Sequence, residues 1–343
     1  MQIEDVDPRD ERAFAQWFAV VEAVERDTRP GERDSTAQEM RGSALAGRSA
    51  EDGTPPDDEL IELLAVRDGG RVVGAARVEL PLSDNEHIYY FSVGVLPDER
   101  RRGVGTALLR ELTERCRRSG RTVLTTEVDE PPAVEGRSPV RGLLEQAGFA
   151  EALVEVRRDV ALPVDPAHLD EVDAACLPHA TGYTVRTWRA HCPDDLVDDR
   201  AELARRMSLD VPLGDLDWRE EAWDAARVRR REARAVEQGR TMIGAGALDP
   251  DGVMVAFTEV GVAGEVPERV HQWETIVLAE HRGRRLGTLV KTAVLRRIAI
   301  ELPAARLLST SNAASNRPMI AVNETLGFRP NGGWVAFQRG LPS

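Results

Sequence analysis

Residues 93–105 read Val93-Gly94-Val95-Leu96-Pro97-Asp98-Glu99-Arg100-Arg101-Arg102-Gly103-Val104-Gly105, and residues 277–287 read Val277-Leu278-Ala279-Glu280-His281-Arg282-Gly283-Arg284-Arg285-Leu286-Gly287. Each run leads from a strand-like segment into an arginine- and glycine-rich turn, and an apolar pattern at helical spacing follows. Such a strand–turn–helix passage suits an anion. Glycine lets the backbone approach a phosphate, successive N–H groups donate to its oxygens, and the helix N-terminus adds positive potential. One turn of this kind is an ordinary helix start; two in matching surroundings are a repeat.

The surroundings do match. Before the first turn, Phe14, Trp17, Phe18, Val21 and Val24 predict a helix, and the polar stretch Thr28–Asp58 predicts a mobile loop. Leu60–Val66 and Arg71–Leu80 form a hairpin pattern around Asp68-Gly69-Gly70, and His87–Val95 is a further strand. After it come a helix at Thr106–Arg118, a strand at Thr122–Val128, a helix at Val140–Ala147, Gly148-Phe149 and a last strand at Leu153–Val160. Leu162–Gly182 reads as a linker holding at most one helical turn. The order then recurs: a strand at Tyr183–Trp188, charged helices through Leu196–Met207 and Glu220–Gln238, and strands at Thr241–Leu248, Val253–Val262 and Gln272–Val277. A helix at Thr288–Ile300, a strand at Arg306–Ser311, a helix at Pro318–Leu326 and Gly327-Phe328 complete it. A repeat this long means duplicated domains, since solenoid units run to only ~20–50 residues. The expected division is a domain at 1–161, a linker at 162–182 and a second domain at 183–343.

With 343 residues, 42% hydrophobic and 30% charged, the chain has the composition of a globular protein of two domains. No apolar run approaches the ~20 residues of a membrane helix, and the acidic N-terminus lacks the features of a secretory signal, so the chain reads as cytoplasmic with no membrane partner. Three cysteines fit free thiols in a reducing compartment. A net charge of −14 opposes nucleic-acid binding and favours a cationic small-molecule amine, although acidic surfaces also simply keep proteins soluble. Cys176-x-x-His179 and His191-Cys192 fit no tight zinc ligand set, so no metal is expected. A monomer and a homodimer are equally compatible with the sequence.

A strand ending at Val95-Leu96-Pro97, an R-x-x-G-x-G turn and a Gly-Phe pair after the next helix but one resemble the GNAT superfamily of N-acetyltransferases. The resemblance covers nearly the whole chain, twice, in a layout similar to that of mycothiol synthases. It implies an α/β (α+β) architecture of two tandem GNAT folds, each a mixed central sheet flanked by helices. It also implies acetyl-CoA as cosubstrate, with transfer to a primary amine by direct attack. In the first half the pyrophosphate would fall to Arg100, Arg101, Arg102, Gly103, Val104, Gly105 and Thr106, with Val93 and Val95 offering backbone to the pantetheine. In the second half the same role would fall to Arg282, Gly283, Arg284, Arg285, Leu286, Gly287 and Thr288. Arg285 stands there where the pattern has glycine, and its guanidinium would either salt-bridge the phosphates or block them. Asn316 occupies the family's CoA-contacting asparagine position and equally suits a helix N-cap; the first half has Arg137 at the matching place.

Counted back from each leading arginine, the family's strand carboxylate falls on Glu274 in the second half and on Ser92 in the first. The resemblance makes Glu274 the base, its pKa raised by desolvation, and the Val277 N–H the donor to the thioester carbonyl. The family's frequent tyrosine four residues before Gly-Phe is replaced by Leu144 and Asn323. That loss keeps a noncatalytic acyl-CoA-binding protein open as an alternative, as the better-formed first turn keeps open catalysis in the first half. Asp215, Asp217 and Trp218, in a run between the two charged helices, either grip the cationic amine or form a solvated loop.

Overall fold

The computed structural model describes residues 1–32, 36–49, 56, 58–130 and 138–342. Strand β1 (Gln2–Asp5) leads to helix α1 (Glu11–Thr28), where Asp10 accepts hydrogen bonds from the Arg12 and Ala13 N–H groups and so caps the first turn. Phe14, Trp17 and Phe18 recur on one face of α1 and are buried. Helix α2 (Ala37–Ala46) follows, then strands β2 (Glu59–Asp68), β3 (Arg71–Pro81) and β4 (Ile88–Val95), helix α3 (Val104–Arg118), strand β5 (Val123–Glu130), helix α4 (Pro139–Gln146) and strand β6 (Ala150–Ala161). The remainder comprises α5 (Pro166–Cys176), β7 (Thr184–Arg189), α6 (Val197–Asp210), α7 (Ala225–Glu237), β8 (Arg240–Leu248), β9 (Met254–Ala263), β10 (Arg269–Val277), α8 (Leu286–Glu301), β11 (Leu307–Ala313), α9 (Arg317–Thr325) and β12 (Arg329–Gly340). No helix among the described residues is long and apolar enough to cross a membrane.

The chain forms two compact units, Met1–Val154 with Leu213–Trp218 and Trp334–Ser343, and Glu155–Pro212 with Arg219–Gly333. In the first unit β1 to β4 pair antiparallel in sequence order, β4 pairs parallel with β5, and the end of β12 follows β5. Leu108, Leu112 and Cys116 of α3 pack on one face with Tyr89, Phe91 and Leu124; α1 packs on the other with Ile61, Leu63 and Ala75. In the second unit β7 to β10 pair antiparallel, β10 pairs parallel with β11, and β11 pairs antiparallel with β6. Val290, Val294 and Ile298 of α8 join Phe257 and Val260 in its core, and α6 and α7 meet through Val197, Ala201 and Val228.

Three expectations are corrected here. The units do not follow the division at 161 and 183, because the last strand of each half serves the other unit's sheet. From Glu155 onward β6 pairs with β11, and from Trp334 onward the chain puts Val335, Phe337 and Leu341 into the first core, where the Leu341 N–H donates to the Thr122 carbonyl at 2.7 Å. Hydrophobic alternation marks a strand but not its partner. The expected linker contains an 11-residue helix, α5, capped by Asp165 with Pro166 in its first turn, and the expected loop at 28–58 contains α2, whose N-cap Thr36 accepts from the Glu39 N–H and donates its hydroxyl to the Glu39 carboxylate.

The exchange of strands makes a testable statement about stability. Phe337 is 0% exposed in the first core, so Phe337→Ala is expected to cost about 3–5 kcal/mol, as large-to-small core substitutions do. Hydrogen exchange is expected to rise in β4 and β5 and not in β9 and β10, although residue 337 lies near the C-terminal end of the sequence.

Candidate acyl-CoA sites

In each half the parallel ladder stops after three pairs, at Tyr90–Thr125 between β4 and β5 and at His271–Ser309 between β10 and β11. All four strands continue beyond that point, so each pair spreads into an opening. The Leu96 N–H donates to Val73 of β3, and strand alternation therefore turns the N–H groups of Val95 and Val93 the other way, toward the opening. In the second half the Leu278 N–H donates to Val255 of β9, which aims the Val277 N–H likewise. These expected donors face the space where a thioester and its pantetheine arm would lie.

The two turns share one backbone. Their second and fourth positions are left-handed in both: Arg101 (φ 63°) and Gly103 (φ 87°) in the first, Gly283 (φ 80°) and Arg285 (φ 59°) in the second. Each half thus supplies glycine at one of the two positions and an arginine under strain at the other. Neither α3 nor α8 has a side-chain N-cap, which leaves first-turn N–H groups directed outward at Val104-Gly105-Thr106 and Leu286-Gly287, while the Thr288 N–H donates to the Arg285 carbonyl at 3.1 Å. A Cβ at Gly103 or Gly283 meets nothing within 4 Å, whereas one at Gly105 meets Leu143 at 3.1 Å and Val95 at 3.8 Å. An open cradle over a closely packed floor fits a pyrophosphate.

The leading arginines do not point freely at that cradle. Arg100 Nε donates to the Val95 carbonyl (3.3 Å) and its Nη1 to Asp27 (2.7 Å); Arg282 Nε donates to the Val277 carbonyl (3.2 Å) and its Nη2 reaches Asp210 (3.5 Å). Both hold the turn to its strand. Arg102 pairs with Glu99, and Arg284 lies over the Tyr183 ring at 5.4 Å. Arg101 and Arg285 are exposed.

Glu274 has an environment opposite to the expected one. Burial pushes its pKa upward, but Arg231 and Arg200 outweigh burial and hold the carboxyl below the usual carboxylate range. Arg200 Nη2 lies 2.7 Å from Glu274, and Arg231 pairs with its other oxygen. The raised carboxyl is its cross-strand neighbour Glu259, pushed up by burial and 3.6 Å from Arg200. Aromatic rings hold both guanidiniums: Phe257 faces Arg200 at 3.8 Å, and Trp273 and Trp223 face Arg231 at 5.2 and 5.8 Å. A bulge between Gln272 and Glu274 turns this face toward α6 and α7.

Residues 213–218 belong to the first unit, not to the second as expected. The Asp215 N–H donates to the Ala152 carbonyl, the Asp217 N–H donates to Gln338 Oε1 at 2.8 Å, and the Asp217 carboxylate lies 3.1 Å from His87 Nε2. The Trp218 N–H donates to the Leu216 carbonyl. Asn316 caps α9, its side chain accepting from the Met319 N–H at 3.3 Å. Arg137 lies outside the described residues. Among the described residues no group of three or more histidine, cysteine or acidic side chains is placed to hold a metal.

Two polar groups escaped the sequence reading. Lys291, the only lysine, is buried in α8, donates to Asn323 Oδ1 at 2.8 Å, and burial pushes its pKa down to about 7. Asn323 also donates to Asn312 (2.6 Å). The second group is Glu127 on β5, raised by burial and hydrogen-bonded to the Tyr90 hydroxyl. A lone lysine is visible in the sequence; the meeting of Tyr90 and Glu127 is not, because it depends on parallel register.

Two substitutions test these assignments. Arg285→Gly is expected to raise stability by about 1 kcal/mol in thermal or denaturant unfolding, since it removes a left-handed non-glycine residue. Arg231→Met is expected to cost about 3–5 kcal/mol, because it leaves Glu274 and Glu259 buried with Arg200 alone. The pH dependence has a definite sign. The Glu274 pKa is lower folded than unfolded, so its ion pairs stabilise the protein above the ordinary glutamate range and are lost as pH falls through the depressed value. That acid limb is expected to shrink in Arg231→Met.

Comparison with known proteins agrees with this architecture. Residues 19–138 match the acetyltransferase (GNAT) family. Among solved structures, a tandem GNAT protein from the clavulanic acid biosynthesis pathway, determined without AcCoA, is 29% identical with a TM-score of 0.80 and covers 100% of both chains. A GCN5-related N-acetyltransferase from Sphaerobacter thermophilus is 15% identical over 100% of this chain and 96% of its own, with a TM-score of 0.66. A putative acetyltransferase from Pyrococcus horikoshii is 14% identical over 99% and 89%, with a TM-score of 0.57; these two share the fold. No curated protein sequence matches the chain significantly. The two matching turns and the two openings thus stand in a chain whose residues 19–138 match the acetyltransferase (GNAT) family and whose fold is similar along its whole length to that of a tandem GNAT protein.

Proposed function

We propose that the protein is an acetyl-CoA-dependent N-acetyltransferase acting on a small primary amine, and that the reaction runs in the first half of the chain. The observation that carries this reading is the contrast between the two openings. In the second half the strand carboxylate is clamped by Arg200 and Arg231, and a carboxylate held below its ordinary range is a poor proton acceptor at neutral pH. The first half combines an open glycine cradle at Gly103, backbone donors at Val93 and Val95, and a carboxyl, Glu127, that carries no such clamp among the described residues. The amine would attack the thioester directly, its nitrogen lone pair forming the C–N bond as the C–S bond breaks.

A noncatalytic acyl-CoA-binding role remains the second reading, favoured by Leu144 and Asn323, which are buried where a general acid is frequent in the family. A free thiol has a pKa near ~8.5, so thiolate departs with little assistance and the missing tyrosine does not forbid turnover.

Thiol release from acetyl-CoA in the presence of putrescine, glucosamine or glycine separates the two, alongside calorimetric titration with CoA. Gly105→Val fills the floor of the first turn against Leu143 and is expected to lower turnover at least tenfold; Gly287→Val in the second turn is expected to leave it within about threefold. Loss of turnover with Gly287→Val alone would move the chemistry to the second half. CoA binding without release on any amine would leave the binding role.

A further inference from the structure

Beyond the last pair of the first opening, Tyr90–Thr125, the next position of β5 on the same face is Glu127. Tyr90 also stands directly opposite Glu79 of β3, and Ser92 opposite Arg77, so Arg77, Glu79, Tyr90, Ser92, Thr125 and Glu127 share one face of the sheet. It is the face turned away from α3, whose core takes Tyr89, Phe91 and Leu124 instead. Glu127 is exposed to solvent on this face. Gln338 bridges this face to the 213–218 loop: its Nε2 donates to Thr125 Oγ1 at 3.0 Å and its Oε1 accepts from the Asp217 N–H.

The second half offers an internal control. Two residues past its last pair, His271–Ser309, stands Ser311, while its glutamate, Glu274, stands on the other strand where the first half has Ser92. Each opening therefore has one glutamate and one serine, on exchanged sides. Arginines neutralise the glutamate of the second; among the described residues the groups that act on the glutamate of the first are the Tyr90 hydroxyl and the Glu79 carboxylate.

Resting on the first-half reading above, we propose that Glu127 is the catalytic base of this protein, that Tyr90 orients its carboxylate, and that the sheet face they share beside the first opening receives a protonated small amine. A protonated amine gives one N–H proton to the Glu127 carboxylate. Its freed lone pair then attacks the thioester carbon, the C–N bond forms, the C–S bond breaks, and the departing thiolate takes a second proton from the former amine nitrogen. Glu127 returns its proton to solvent. Glu79 beside it adds to the attraction for a cation.

Burial and the like charge of Glu79 raise the Glu127 pKa, the Tyr90 hydrogen bond opposing them. Other charged groups around this face have partners among the described residues. Arg77 is held by Glu79 at 2.7 Å and Ser43 at 2.8 Å, Asp129 pairs with Arg29 at the C-cap of α1, and His87 pairs with Asp217. A base must be ionised, so turnover rises with pH through a limb lying above the ordinary glutamate range.

The experiment compares wild type, Glu127→Gln, Tyr90→Phe and Gly105→Val over a pH series with the panel amine that turns over fastest, and measures acetyl-CoA affinity of each by calorimetry. Glu127→Gln is expected to lower kcat at least 100-fold, abolish the pH limb and leave acetyl-CoA affinity unchanged; Tyr90→Phe is expected to shift the limb while retaining turnover. Turnover of Glu127→Gln within threefold of wild type, with the limb intact, overturns the assignment. If Gly105→Val is inactive in that case, the first-half reading stands without Glu127; if it is as active as wild type, that reading falls too.

Discussion

Parallel strands hold each other by evenly spaced, slanted hydrogen bonds, and in both halves of this chain that ladder is abandoned after three pairs while the strands run on. Main-chain N–H groups left without ladder partners are costly unless something else accepts from them. The cost is concentrated at Val93, Val95 and Val277, the places where an acyl thioester is expected to bring acceptors. Helices on both faces keep the spread strands from closing: α1 and α3 in the first unit, α6, α7 and α8 in the second. The turns after β4 and β10 begin at the outer ends of these openings. Their geometry is fixed from behind by Arg100 and Arg282, each bound to the carbonyl five residues before it.

Much of this was legible because it is local. The turns, α3, α8 and the hairpins announce themselves by period and by glycine. Capping signals were equally local yet easily passed over: Thr36-x-x-Glu39 and Asp165-Pro166 each start a helix in a stretch that otherwise reads as polar loop. The strand exchange was not legible, since nothing in β6 or β12 names a partner sheet. The environment of Glu274 was not legible either. Its neighbours Trp273 and Ile276 suggest desolvation, but its partners Arg200 and Arg231 come from helices 74 and 43 residues away, and in a chain whose basic residues are nearly all arginine neither stands out.

The halves have diverged by exchanging features more than by losing them. Left-handed positions are glycine at the fourth place in one turn and at the second in the other. The core beneath the openings differs more sharply. Counted from the turn glycine and from Gly-Phe, Leu109 and Leu144 correspond to Lys291 and Asn323. The first pair is apolar and buried; the second is equally buried and polar, held by one hydrogen bond between its members and another to Asn312. A lysine buried this way loses its preference for the charged form, and its pKa falls to about 7.

Glu274 and Glu127 show how the same side chain takes two characters from its surroundings. A buried carboxylate facing two guanidiniums is stabilised as an anion, and with Glu259 the group of four is close to neutral: two arginines, two acids. Such a cluster binds α6 and α7 to β9 and β10, and removing any one member leaves an unbalanced buried charge. Its rigidity is its use. Burial and the like charge of Glu79 raise the Glu127 pKa against the opposing Tyr90 hydroxyl, so its proton is held more tightly than usual. Among the described residues the position of an arginine, rather than the presence of a glutamate, therefore sets whether a carboxyl's pKa falls, as at Glu274, or rises, as at Glu127.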